Sequence, residues 1–378
     1  MANINEEALL AHKQLRGKLS VVPKDSLDSL EKLNIYYTPG VAAVSSYVAS
    51  NPSEAREYTW INNAVAIVSD GSAVLGLGNI GPLGALPVME GKAMLFKRFA
   101  DIDAIPLVLN TNNPDEIINT VKAIAPGFGG INLEDIKAPE CFYVEEKLKK
   151  LLDIPVFHDD QHGTAIVVLA GLLNACRVTQ RNLKESKIVI IGAGAAGSAT
   201  AKLLSKYGIR NIVILDSKGA IYQGREHLND DKEYLAFITN PDKLQGNLEA
   251  VVGNSDVIVG VSQPNMINES HIRKMNEDPI IFAMANPIPE IMPDVAKEAG
   301  VRVIATGRSD FPNQINNALA FPGIFRGALD NKVSKITDDH KLQAAHTIAE
   351  LVANPTAEDI IPSILDSRLV PAISAVIV

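Results

Sequence analysis

KIVIIGAGAAGSATAKLLSKYG, running from Lys187 to Gly208, is the stretch that decides the fold. Four β-branched residues, Ile188 to Ile191, read as a buried strand; Gly192, Ala193, Gly194, Ala195, Ala196 and Gly197 follow at once and open an apolar-periodic helix. In such a G-x-G-x-x-G turn the first glycine permits the reversal and the second lets the backbone approach a pyrophosphate. The third lets helix and strand pack closely. The helix N-terminus then presents free N–H groups and partial positive charge to the phosphates. Tight βα turns also use glycine for structure alone, so the turn by itself is a weak signal. Here the context is complete: NIVILD supplies the next strand and ends on Asp216, about 20 residues on, where a carboxylate accepts from ribose hydroxyls. Asp216 leans toward NAD, while the neighbouring Ser217, Lys218 and Lys232 keep NADP possible.

Downstream, DVIVGVS, PIIFAMANP and VRVIATG continue the alternation of short apolar runs with helix-like segments, and SDFPNQINNALAFPGIFRGAL leads into helical material ending at Val378. Upstream, the runs Ala64 to Val68, Ile105 to Leu109, Gly130 to Leu133 and Ile154 to Phe157 form an earlier series. Helices are expected between them at Pro114 to Ala125 and Pro139 to Leu152. The predicted class is α/β, with an N-terminal α/β domain of mainly parallel sheet over residues 1–163 and a Rossmann-like NAD-binding domain with C-terminal helices over residues 164–378. The boundary is expected on the helical stretch from Gly163 to Val178 or in the TQRNLKES segment after it.

Each early run ends in polar or acidic residues: Asp70-Gly71, Asn110, Glu134-Asp135 and His158-Asp159-Asp160. Ligands of open parallel sheets bind beyond the carboxyl ends of the strands, so these acids are placed to converge. Four carboxylates without cysteine suit Mg2+ or Mn2+ rather than zinc. A single acidic pair would be an N-cap or a solvated loop; two pairs beside a dinucleotide motif favour a metal. Two further residues are bland in isolation. Tyr37 precedes a Thr-Pro-Gly turn, and Lys92 lies in a Gly-Pro-rich approach to an apolar helix, where a cation and apolar walls are expected to depress its pKa and make it a base.

Composition narrows the classes. The chain has 378 residues, 47% hydrophobic, enough for two cores. The net charge of −9, with Lys and Arg dispersed, argues against a nucleic-acid partner. Cys141 and Cys176 are too few and too isolated for a disulfide framework or a thiolate metal site. The N-terminal MANINEEALLAHKQLRGKL has no apolar core of a signal peptide, and Ala165 to Cys176 is too short to span a bilayer, so a cytoplasmic address without membrane contact is expected.

At this point YTPGVA, SDGSAVLGLGNIGPLGALPVMEGKA, INLEDI, FHDDQHGTA, GAGAAG, MANPIPE and QINNALAFPG, in this order, resemble the malic enzyme family, in its short bacterial form, over nearly the whole chain. The resemblance implies Tyr37 as general acid, Lys92 as general base, Glu134, Asp135 and Asp160 as metal ligands, and Asp159 as the acid that orients the centre. Asn286 and Asn317 match residues that hold substrate and nicotinamide. The sequence reads Asp70-Gly71-Ser72 where animal-type members carry an arginine, which leaves one malate carboxylate without an assigned partner.

The implied reaction converts malate to pyruvate and CO2. Lys92 takes the C2 hydroxyl proton as hydride leaves for the nicotinamide, and Tyr37 protonates C3 after decarboxylation of bound oxaloacetate. The alternatives are an oxaloacetate decarboxylase, a malolactic enzyme that holds NAD tightly, and a non-catalytic nucleotide sensor. A homodimer or homotetramer is implied.

Overall fold

The computed structural model describes residues 4–74 and 77–378, so Leu75 and Gly76 of the quoted LGLG motif, and the first three residues, lie outside the described residues. The first sheet contains β1 (Ala64–Ser69), β2 (Asp103–Val108), β3 (Gly130–Leu133) and β4 (Val156–His158), all parallel, in the order β2-β1-β3-β4. Every residue of β1 is buried, as expected where helices cover both faces of a parallel sheet. Val65 and Ile67 join a core with Met89 and Phe96, while Ala66 and Val68 pack with Ile117, Val121 and Val144. β2 begins at Asp103 rather than Ile105, because the ladder with β1 pairs Asp103 with Ala64 and so outranks apolar content. β4 is three residues long and begins after Pro155, which has no N–H to donate to a ladder.

The second sheet contains β5 (Ile188–Ile191), β6 (Ile212–Asp216), β7 (Gly219–Ala220), β8 (Val257–Gly260), β9 (Ile280–Ala283) and β10 (Val303–Thr306), in the order β10-β9-β8-β5-β6-β7. Only β7 is antiparallel. This is the doubly wound arrangement with its switch point between β5 and β8, where a dinucleotide crosses the strand ends. The helix Asp159–Val178 runs between the two sheets and spans the expected boundary at residues 163 and 164. Its Ile166, Val168 and Leu169 sit in one continuous core with Val65 of β1 and Ile188 of β5. In contrast, no residue from Ile4 to Asn63 is buried, although this segment forms the helices Ile4–Leu15, Leu30–Tyr36 and Val41–Ser50.

Candidate active site

Lys92 lies in the middle of the helix Gly81–Ala100 rather than at a helix start. Gly84, Pro87 and Gly91 disfavour helix locally; burial of Ala85, Met89, Ala93 and Phe96 against the first sheet outweighs those preferences. The acids arrive from two strand ends. Glu134 and Asp135 follow β3, and Asp159 and Asp160 open the helix that follows β4.

These residues converge. The Lys92 ammonium donates to Glu134 Oε1 at 2.9 Å and makes a short hydrogen bond to Asp159, and it lies 4.3 Å above the Phe321 ring. Asn132 Nδ2 donates to the other Glu134 oxygen at 2.9 Å, and the Asp135 N–H donates to Asp160 Oδ2 at 2.9 Å. Asp135 itself is held in the left-handed backbone region at φ 53°, a conformation that non-glycine residues adopt at a cost and that clusters at functional sites. Asp159 is fully buried and Lys92 nearly so.

Four carboxylates therefore face one ammonium. Burial drives Asp135 up to about 9, with the charges of Asp160 and Glu134 adding to it. Burial also raises Asp159 to about 6, despite the Lys92 contact, and raises Glu134. The lowered pKa expected of Lys92 is that of a lysine beside a bound cation; in the protein alone the balance runs the other way. Burial lowers its pKa, but the charges of Asp159, Glu134 and Asp160 outweigh that and hold the ammonium well above the usual lysine range. The shortage of positive charge fits a divalent cation. Glu134, Asp135 and Asp160 offer oxygens that all lie within 4.8 Å of one another, and Asp135 Oδ2 is buried with no hydrogen-bond partner. An all-oxygen donor set of this kind suits Mg2+ or Mn2+.

A cleft of about 650 Å3 opens at the switch point of the second sheet, lined by Gly192–Gly194, Asp216, Lys218, Ser262 and Gln263 among others. Gly192 has φ 112°, and a Cβ there would lie 2.8 Å from the Val261 carbonyl oxygen. Gly197 is closer still, at 1.8 Å from the Gly192 oxygen, whereas a Cβ on Gly194 would meet nothing within 4 Å. The three glycines thus divide into turn, helix packing and open approach for a ligand, as the motif requires. Ala193 lies in the turn, and Ala195 and Ala196 open the helix Ala195–Tyr207.

Asp216 is less free than its place suggests. Its Oδ2 accepts from Arg225 Nη2 at 2.5 Å and from Lys232 Nζ at 2.7 Å, and its Oδ1 accepts from the Lys218 N–H at 2.9 Å. Burial opposes its ionisation, but these donors prevail and hold the carboxyl at about 2.

Asn317 opens a short turn beside the acidic centre: a Cβ on Gly163 would lie 2.0 Å from Asp159 Oδ1 and 2.9 Å from the Asn317 Cβ. Asn286 follows β9 in an exposed loop at the edge of the second sheet. Tyr37 is 66% exposed at the end of the helix Leu30–Tyr36 and is not among the contacts of Lys92. Two residues escaped the sequence reading. Arg225 lies in a loop with no periodic signal. Glu145 sits in a run of charges that reads as a solvated helix face. Its buried carboxylate accepts from the His158 N–H at 3.0 Å and from Lys149 at 2.6 Å, and faces His162 Nε2 at 2.9 Å, bracing the turn that carries Asp159 and Asp160.

Comparison with known proteins agrees over both halves. Residues 16–149 match the family described as "Malic enzyme, N-terminal domain", and residues 161–378 match "Malic enzyme, NAD binding domain". A bifunctional malic/malolactic enzyme of Bacillus subtilis is 52% identical over 98% of this chain and 92% of its own length. An NADP-dependent malic enzyme of Halomonas elongata is 46% identical, covering 100% of this chain and 93% of that protein. The crystal structure of an NAD-dependent malic enzyme from Thermotoga maritima superimposes with a TM-score of 0.95 at 48% identity, covering 98% of each chain.

Proposed function

The chain belongs to the malic enzyme family, and from that premise we propose that it oxidatively decarboxylates malate to pyruvate and CO2. The hydride acceptor is NAD or NADP, and Glu134, Asp135 and Asp160 hold Mg2+ or Mn2+. The observation that carries this reading is the shared carboxylate of Glu134, which belongs both to the all-oxygen triad and to the Lys92 contact. One group thereby couples cation binding to the protonation of the candidate base. A bound cation supplies Lewis-acid polarisation of the substrate oxygens and a resident charge for the enolate that decarboxylation produces.

The chain's own residues do the rest. Neutralising the triad removes the contributions of Glu134 and Asp160 that help hold Lys92 protonated, so burial, which opposes the ammonium, is balanced by Asp159 alone and the pKa falls toward that of a base. Lys92 then accepts the C2 hydroxyl proton as hydride departs, and Asp159, in contact with Lys92, fixes its direction. Asn317, next to Asp159, and Asn286, in the loop after β9, orient substrate and nicotinamide. Tyr37 protonates C3.

The exposed position of Tyr37 ties that last role to assembly. Among the described residues, more than half of the exposed large hydrophobic side chains lie between Ile4 and Trp60, and concentrations of this kind mark association surfaces. This supports a homodimer or homotetramer in which that surface, and Tyr37 with it, is withdrawn from water. We read NAD as the preferred acceptor, because Asp216 meets the ribose end. Among the described residues no helix is long and apolar enough to cross a membrane, and a cytoplasmic address completes the proposal. The test is turnover of malate with each dinucleotide, with and without Mn2+, following reduced nicotinamide, pyruvate and lactate separately; malate-dependent lactate without net reduction would replace this reading with a malolactic one.

A further inference from the structure

Glu290 has no exposed surface and no cationic partner among the described residues, yet each of its oxygens has a backbone donor. Oε1 accepts from the Ser262 N–H at 3.0 Å and Oε2 from the Ala285 N–H at 3.0 Å. Ser262 lies in the loop after β8 and Ala285 in the loop after β9, so a single side chain ties together two neighbouring loops at the carboxyl edge of the second sheet. Gly260, the last residue of β8, makes room for it: a Cβ there would lie 2.5 Å from the Glu290 carboxyl carbon. Burying a carboxyl without a cation is costly, and an apolar side chain would fill the same space without that cost. What an apolar side chain lacks is a pair of acceptors at fixed spacing.

The loop after β8 is also a wall of the dinucleotide cleft, and the loop after β9 lies next to it at the same sheet edge. Val261 donates to Ile191 at the end of β5, which sets Ser262 and Gln263 opposite Gly192–Gly194, and Asn286 directly follows Ala285. Asp216 stands at the end of β6, on the other side of β5 from β8 and β9. A dinucleotide with its adenosine ribose at Asp216 therefore carries its nicotinamide half over the β8 and β9 loops. We propose that Glu290 is a positioning residue that fixes the spacing of these two loops and so sets the affinity for the nicotinamide half of the cofactor. The inference rests on the dinucleotide reading of the cleft given above.

Glu290→Gln tests it, because the amide keeps the size but offers one acceptor and turns an N–H toward an N–H. In the full-length protein, the NADH dissociation constant, read by fluorescence without turnover, rises about tenfold or more, as expected for losing one of two hydrogen bonds to a charged acceptor. KM for NAD rises more than kcat falls, and the loss in NADH affinity greatly exceeds any change in Mn2+ affinity at the other sheet. A lower melting temperature with unchanged NADH affinity overturns the proposal, because it leaves Glu290 a purely structural role. Should the variant fail to fold, hydrogen exchange on the cofactor-free wild type decides: Ser262 and Ala285 amides exchanging as slowly as those of β5 support the tie, and exchange of either at exposed-loop rates overturns it. Wild-type protein that binds no NADH would instead overturn the dinucleotide reading itself.

Discussion

Gly163→Ala adds one methyl group at the most crowded point of the centre. The new Cβ would stand 2.0 Å from Asp159 Oδ1 and 2.9 Å from the Asn317 Cβ. Ordinary contact needs roughly 3.5 Å, so the Asp159 carboxylate must retreat by about 1.5 Å. The clashing atom is the end of a side chain rather than backbone, so the strain is relieved by movement of the carboxylate. The stability terms nearly cancel: alanine favours a helix interior by about 1 kcal/mol over glycine, and overpacking costs about 1–3 kcal/mol. A loss of about 0–2 kcal/mol lowers the melting temperature by only a few degrees. Function should suffer far more if Asp159, which contacts Lys92, has the directing role proposed for it, because a 1 Å misplacement costs about 100-fold. Steady-state oxidation of malate, measured beside thermal melting, separates the two effects. A variant within about threefold of wild-type kcat would refute the claim that Asp159 must hold Lys92 in place.

Other outcomes follow from the same geometry. Lys92→Ala lowers malate oxidation by about 100-fold or more, as loss of a positioned base does, measured as kcat at saturating malate. Tyr37→Phe slows pyruvate formation from both malate and oxaloacetate; near-wild-type rates on both would leave Tyr37 a packing residue. Asp216→Ala releases Arg225 and Lys232 for a 2′-phosphate and moves the kcat/KM ratio toward NADP by about tenfold or more, and an unmoved ratio rejects the role given to that ion-pair cluster. The raised pKa values of Asp159, near 6, and Asp135, near 9, give a signed pH effect. Folded-state values above the unfolded ones mean that this centre stabilises the metal-free fold at low pH and loses that contribution as pH rises through them. Mn2+ should therefore raise the melting temperature more at about pH 8 than at about pH 5, and an equal shift at both contradicts the assignment.

The residues legible in the sequence are those whose position is set by a strand end. Glu134, Asp135, Asp159 and Asp160 follow short apolar runs, and the glycines of the nucleotide turn follow another, so parallel-sheet geometry already brings each set to one edge. Lys92 was harder to place, since Gly84, Pro87 and Gly91 argue locally against the helix that burial enforces. The electrostatics of Lys92 without a cation were illegible for a related reason. Apolar walls and a cation are legible, but the count of carboxylates touching one ammonium depends on how two strand ends meet a helix from which Asp159 is 67 residues away in sequence. Arg225 and Glu145 were illegible because their partners are set by loop and helix packing. Tyr37 and the asparagines acquired roles only through resemblance, and Tyr37 remains on an uncovered surface in the single chain.

The most direct test of the central claim is the metal requirement of the reaction, with Asp160→Ala as the matched control. Wild-type protein freed of metal by EDTA should bind NADH but produce neither pyruvate nor reduced nicotinamide from malate; adding Mn2+ should restore both in equal amounts. Folded Asp160→Ala should stay inactive at the same Mn2+ concentration and bind the ion more weakly. Full oxidation of malate by the EDTA-treated protein, or by Asp160→Ala, would contradict the assignment of Glu134, Asp135 and Asp160 as the ligands through which this chain acts.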